Sequence, residues 1–244
     1  MFHPKGPTFM ELARQALSST TRGYDLLAPK FDYTPFRTPV EVLEAAVARV
    51  EEPVGSILDL ACGTGAAMEV FREKARDEIW GVDLSEGMLA EARKNLVDAP
   101  GDAEVHLVQG DVLALEFEDY FDVVTCFGAL GHILRRDQTR FAEGIARALK
   151  PGGSFLFVTA PMPPAFSRRW LVSRAFNGAM HLRNALIRPP FIMFYLLFCL
   201  EEAREVLEPL GFELEVSPLG ELGELHHDAG LLSDLVVVKA RLGN

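Results

Sequence analysis

Cysteine is scarce and scattered. The 244 residues hold three, Cys62, Cys126 and Cys199, and no two form a Cys-x-x-Cys pair. An odd, widely spaced set argues against a disulfide framework and fits reduced thiols in a cytoplasmic setting. Positive charge is also short: 24 Lys and Arg face 35 Asp and Glu, a formal net charge of −11. Nucleic-acid binding needs a basic face, so this balance argues against a general nucleic-acid binder. Long hydrophobic runs are missing. The longest, Phe191 to Leu200, is ten residues, too short to span a bilayer. The first residues, Met1 to Pro7, lack the apolar core of a signal peptide. No internal repeat or low-complexity tract is present.

Apolar residues make up 49% of the chain, enough for a full core in one large domain. Phe9, Leu12, Ala13 and Leu17 share a side and predict a helix over 9–19. An aromatic stretch, 22–33, follows, punctuated by Gly23 and Pro29. Thr38, Pro39 and Glu41 read as N-cap, first turn and capping-box acid of a second helix. From Ser56 the chain alternates. Strands are expected at 56–60, 78–82, 103–109, 121–127 and 154–159, with helices at 66–75, 85–97 and 137–150. Pro151-Gly152-Gly153 stops the last of these helices. Continuous apolar strands between helices imply a parallel sheet covered on both faces. After a break come a helix near 201–210 and two strands, 212–217 and 231–240. Their link is too short for a crossover helix, so they pair antiparallel.

The break itself, 161–200, carries five arginines (Arg168, Arg169, Arg174, Arg183 and Arg188) and no acid, leaving −16 on the rest of the chain. Three readings stand for it: a helical lid over an acceptor pocket, an amphipathic element in peripheral contact with a membrane, and a homodimerisation element. The first two favour a hydrophobic or acidic small molecule as substrate.

The chemistry-bearing stretch is Asp59-Leu60-Ala61-Cys62-Gly63-Thr64-Gly65, where a buried strand ends in an acid and a glycine turn opens a helix. Such turns let backbone approach a ligand and offer free N–H groups. In open α/β sheets ligands bind beyond the carboxyl ends of strands. Asp59, Asp83 and Asp111 sit at three such ends. Asp83 lies twenty residues past Gly63, where an acid holds a ribose hydroxyl pair, so a nucleoside-bearing cofactor is expected. A dinucleotide fingerprint wants a small third residue in the turn, and that slot holds Met68.

The stretch Leu58 to Gly65 resembles motif I of class I S-adenosylmethionine-dependent methyltransferases. Val82 to Leu89, Gln109-Gly110-Asp111-Val112 and Leu149 to Gly153 resemble three further signatures of that family, in the same order. The resemblance implies a Rossmann-like, seven-stranded, mostly parallel sheet in the order 3-2-1-4-5-7-6 with strand 7 antiparallel. It implies one domain over 1–244, with 1–52 as an N-terminal helical cap and 161–200 as a lid insertion between strands 5 and 6. It implies S-adenosylmethionine as cofactor, with Asp59 on its amino group and Ala61, Gly63 and Gly65 as the turn lying against it. Ala61 departs from the glycine of many members. Asp83 would hold the ribose hydroxyls, Leu84 and Met88 the adenine faces, and Asp111 and Val112 the adenine edge. Phe127, with Gly128, would lie beside the methionine moiety, and Tyr24, in a Tyr-Asp-x-x-Ala…Phe-Asp pattern, would cover the cofactor. His132, just past strand four, is the candidate base if the acceptor must lose a proton.

No metal site is expected. His226-His227-Asp228 reads as a solvated turn ahead of a metal pair. The expected function is methyl transfer to a small molecule. Two alternatives are a non-catalytic module that binds the cofactor, and a NAD-dependent oxidoreductase, which Met68 opposes.

Overall fold

The structure is a computed structural model that describes residues 3–219 and 234–243. The chain opens with α1 (Phe9–Ala16), α2 (Thr20–Leu27), a 3-10 stretch (Ala28–Tyr33) and α3 (Val40–Val47). The alternation follows as β1 (Val54–Leu60), α4 (Ala66–Phe71), β2 (Ala75–Asp83), α5 (Glu86–Asn95), β3 (Glu104–Gln109), β4 (Phe121–Cys126), α6 (Arg135–Ala148) and β5 (Leu149–Thr159). Then come α7 (Arg168–Leu186), α8 (Leu200–Leu207), β6 (Phe212–Pro218) and β7 (Val236–Leu242). Among the described residues the strands form one seven-stranded sheet, order β3-β2-β1-β4-β5-β7-β6. β1 to β5 run parallel, and β7 runs antiparallel between β5 and β6. This is the expected architecture.

The alternating residues of β5 explain the layering. Phe155 and Phe157 enter one core with Phe141 of α6 and Phe198. Leu156 and Val158 enter the other with Leu43 of α3, Phe71 of α4 and Leu89 of α5. Both sheet faces are therefore covered, as continuous apolar strands require. Phe71, Phe121, Phe141, Phe155, Phe157 and Phe198 are fully buried. Each contributes roughly 1.5–3 kcal/mol of burial free energy.

Several local expectations are corrected. Residues 22–33, left without an element in the sequence, fall in α2 and the 3-10 stretch, and Ser19 caps α2 by accepting from Arg22 N at 3.2 Å. The capping box at Thr38 does not form. Pro39 is the N-cap of α3 and no side chain caps it. Thr38 instead faces Gly128, where a Cβ would lie 3.1 Å from its hydroxyl. The helix expected over 66–75 is α-helical to Phe71 and continues as a 3-10 turn, Arg72–Lys74, with the Arg72 side chain donating to the carbonyls of Leu96, Ala99 and Ala103. Pro151-Gly152-Gly153 belongs to β5, not to a loop. Lys150 there bonds Asp122 at 3.0 Å, anchoring the strand start away from the candidate site.

Candidate functional site

The parallel register brings the ends of β1, β2 and β4 together, pairing Asp59 with Gly81 on one side and Thr125 on the other. Asp59 is buried. Its carboxylate accepts from the Thr125 hydroxyl at 2.7 Å. Burial, opposed by that bond and reinforced by the nearby Asp83, pushes its carboxyl up to about 7. A buried acid with no cationic partner among the described residues suits an ammonium ligand.

The turn after β1 uses three left-handed residues: Ala61 (φ 53), Gly63 (φ 55) and Gly65 (φ 87). Ala61 thus occupies a conformation that costs a non-glycine residue about 1 kcal/mol or more, the physical reason glycine suits this slot. A Cβ on Gly63 would meet no described heavy atom within 4 Å. That is the open cradle a close-lying ligand needs. Asp83 ties the turn to β2: one oxygen accepts from Gly63 N at 2.9 Å and the other from Ser85 N at 2.8 Å. Burial raises its carboxyl despite those bonds.

Met68 has a structural explanation. It is fully buried, and a Cβ on Gly81 would lie 2.5 Å from its sulfur and 2.8 Å from that of Cys62. The small residue that lets helix approach strand sits here on β2 rather than on the helix.

The other candidates lie around the same rim. Met88 is buried, while Leu84 is 45% exposed. Asp111 is exposed and turns one oxygen to its own Leu113 N, at 2.9 Å. Val112 is buried. The Phe127 ring packs on Phe71, 5.8 Å between centroids, so its side chain belongs to the core and only its backbone is offered to the rim.

Tyr24 and His132 meet. The Tyr24 hydroxyl and His132 Nε2 are 2.9 Å apart. His132 Nδ1 contacts the carbonyl of Ile192, in the segment returning from α7. A carbonyl only accepts, so Nδ1 carries the proton and Nε2 accepts from Tyr24. Burial lowers the imidazole below its usual pKa and keeps Tyr24 protonated, with Asp83 adding to the latter.

Two acids of the N-terminal pattern escaped the sequence reading. Asp25 accepts from the Ser85 hydroxyl at 2.6 Å and from Gly87 N at 3.0 Å. Asp32 accepts from the Thr64 hydroxyl at 2.6 Å and from Asn95 at 3.1 Å. They fasten the N-terminal helices to the loops after β2 and β1. The Tyr-Asp…Phe-Asp spacing was their signal.

α7 buries no residue. The buried aromatics Phe191, Phe194 and Phe198 lie in the return segment. Asn184 clamps the backbone of Phe191 by two bonds of 2.9 and 3.0 Å, and Asn177 clamps Tyr195 by two of 2.8 and 2.6 Å. The Thr20 hydroxyl accepts from Ile192 N at 2.7 Å. Arg183 donates to the carbonyls of Ala16, Ser18 and Pro189, a structural use. His226-His227-Asp228 lies outside the described residues.

Residues 57–153 match the family model for a methyltransferase domain. Residues 57–153 thus carry a methyltransferase domain. That domain is 35% identical over 104 residues to the ubiquinone biosynthesis O-methyltransferase of Hydrogenovibrio crunogenus, covering 43% of this chain and 42% of that one. It is 36% identical over 119 residues to the demethylmenaquinone methyltransferase of Symbiobacterium thermophilum, covering 48% and 46%. The match thus spans about half the length of these relatives. Among solved structures, the putative methyltransferase in complex with the Haloferax volcanii Trm112 methyltransferase activator superposes with a TM-score of 0.66 at 20% identity, over 93% of this chain and 98% of that one. The DhpI-SAH complex gives a TM-score of 0.64 at 22% identity, over 97% and 99%. At these identities the structural likeness speaks for the fold. Among the described residues no helix is long and apolar enough to cross a membrane.

Proposed function

We propose that the protein methylates a hydroxyl of a small apolar acceptor, using S-adenosylmethionine, with His132 as the base. The observation that carries this reading is the imidazole itself. It is half-buried and neutral, with Nδ1 held by the Ile192 carbonyl and Nε2 accepting from the Tyr24 hydroxyl, on the rim that also holds Asp59 and Asp83. The curated relatives support it: the Hydrogenovibrio protein is named for O-methylation in ubiquinone biosynthesis.

S-adenosylmethionine, when bound, supplies an activated sulfonium methyl for direct displacement. Asp59 would hold its amino group, the backbone at 61–65 would lie against it, and Asp83 would bind the ribose hydroxyls. Leu84 and Met88 would flank the adenine, with Asp111 and Val112 at its edge. Asp25 and Asp32 fix the two loops that do this. The acceptor hydroxyl takes the place that Tyr24 marks at Nε2. As the oxygen gains the methyl group, its proton passes to Nε2, and the Ile192 carbonyl keeps the ring aimed. Alignment by such fixed groups supplies much of the rate in a displacement of this kind. The return segment, with Phe191 and Phe194, covers the acceptor side together with residues 1–52, and its apolar lining favours an apolar ring.

Transfer of labelled methyl from S-adenosylmethionine to an alkylated catechol tests this. Turnover by wild type, and a loss of about 100-fold or more in His132→Gln with S-adenosylhomocysteine binding retained, is the expected result. Transfer to amines but not hydroxyls, or full activity in His132→Gln, would overturn it.

A further inference from the structure

The outer face of α7 is a continuous apolar stripe with nothing described against it. Leu171, Val172, Leu182 and Leu186 are 50%, 61%, 62% and 75% exposed, and Ala175, Gly178 and Ala179 are exposed between them. Their spacing puts all seven on the side of the helix opposite Asn177 and Asn184, which face the return segment. Phe166, 77% exposed, precedes the helix and packs on the Trp170 ring, 5.5 Å between centroids. A contiguous exposed apolar surface of this kind marks an interaction site.

Charge selects the occupant. Residues 161–200 carry five arginines and no acid in a protein of net charge −11. Arg169 is engaged by Asp234 at 2.7 Å and Arg183 by backbone carbonyls. Arg168, Arg174 and Arg188 are exposed, and none makes an ion pair among the described residues. Arg174 lies 5.3 Å over the Trp170 ring. Two copies meeting through this stripe would bring arginine against arginine with no acid between them. An anionic bilayer surface complements both features at once, taking the leucines at the headgroup boundary and the arginines on lipid phosphates.

We propose that the exposed face of α7 docks the protein on anionic lipid bilayers. The −16 borne by the rest of the chain is repelled by the same surface, so docking is oriented with α7 toward the lipid. The segment that returns from α7 carries Phe191 and Ile192 to Tyr24 and His132, so docking places the candidate acceptor site next to the bilayer. The docking surface is independent of the acceptor assignment, because its test needs no turnover.

The test is co-sedimentation of the full chain with vesicles of phosphatidylcholine alone or mixed with phosphatidylglycerol. Wild type is expected to sediment with the anionic vesicles, less at high salt, and not with phosphatidylcholine alone. Each arginine replaced by glutamine at 168 and 174 should weaken partitioning about fivefold. Leu182→Glu with Leu186→Glu should abolish it, while Val97→Glu, at an exposed site on another element, should not. S-adenosylhomocysteine titration of each variant reports whether the fold is kept. Three results would overturn the proposal: wild type staying in solution with anionic vesicles, the double leucine variant sedimenting like wild type, or light scattering of a dimer that this variant splits.

Discussion

Asp59 illustrates how a residue can be costly to the free protein and still be retained. Its folded carboxyl is pushed up to about 7 from an ordinary 3.8, chiefly by burial. A raised acid binds its proton more tightly when folded, so the penalty is absent below pH 4 and full above pH 7. Asp59→Asn should therefore stabilise the protein at pH 8 by on the order of 2 kcal/mol and lose that advantage toward pH 4. The same variant should weaken S-adenosylhomocysteine binding strongly. Thermal melts across that pH range check the first outcome and calorimetry the second. His132 carries the opposite sign. Burial lowers its pKa, so the acid limb of kcat/KM should fall below pH 6.5 and disappear in whatever activity remains in His132→Gln. Asp59 and Asp83 were legible in the sequence because strand ends and a fixed spacing mark them. Asp25 and Asp32 were not assigned roles, because their partners lie 60 and 32 positions away. The Ile192 carbonyl could not have been foreseen, since a backbone oxygen leaves no trace in residue type.

The β1–α4–β2 unit was readable as an element, and its packing was not. Met68 departs from the dinucleotide-binding pattern, and Gly81 of β2 is the small residue opposite it. Gly81→Ala would place a methyl 2.5 Å from the Met68 sulfur, and Met68 is fully buried. It should cost about 1–3 kcal/mol, as overpacking does. Combining it with Met68→Ala should cost less than the two changes added, the coupling expected of residues in contact. Denaturant melts of the four proteins measure that coupling. The N-terminal helices near 9–19 and after Thr38 were readable, and their local contacts were not. Thr38 has the spacing of a cap, yet its hydroxyl lies beside Gly128 and no side chain caps α3. Gly23 reads as a breaker, yet it lies within α2, where a Cβ would come 2.8 Å from the Phe191 ring. Gly23→Ala should therefore push the return segment off His132, lowering kcat more than cofactor affinity. Steady-state kinetics beside a cofactor titration separate the two.

Across the whole molecule, the strand order followed from alternation plus a resemblance, because a parallel sheet with a final antiparallel hairpin leaves few topologies. The insertion did not follow. Its composition announced an unusual surface, but the division of labour is tertiary: α7 outside with no buried residue, the return segment inside with three buried phenylalanines. The cofactor turn, the N-terminal acids and the return segment converge on one rim of the sheet, and the account rests on that rim accepting S-adenosylmethionine. Calorimetric titration of the wild-type chain with S-adenosylhomocysteine tests this most directly. Saturable one-site binding, weakened about tenfold or more by Asp83→Ala, is the expected result. Absence of binding by wild type at high micromolar ligand, or an affinity unchanged by Asp83→Ala, would contradict it.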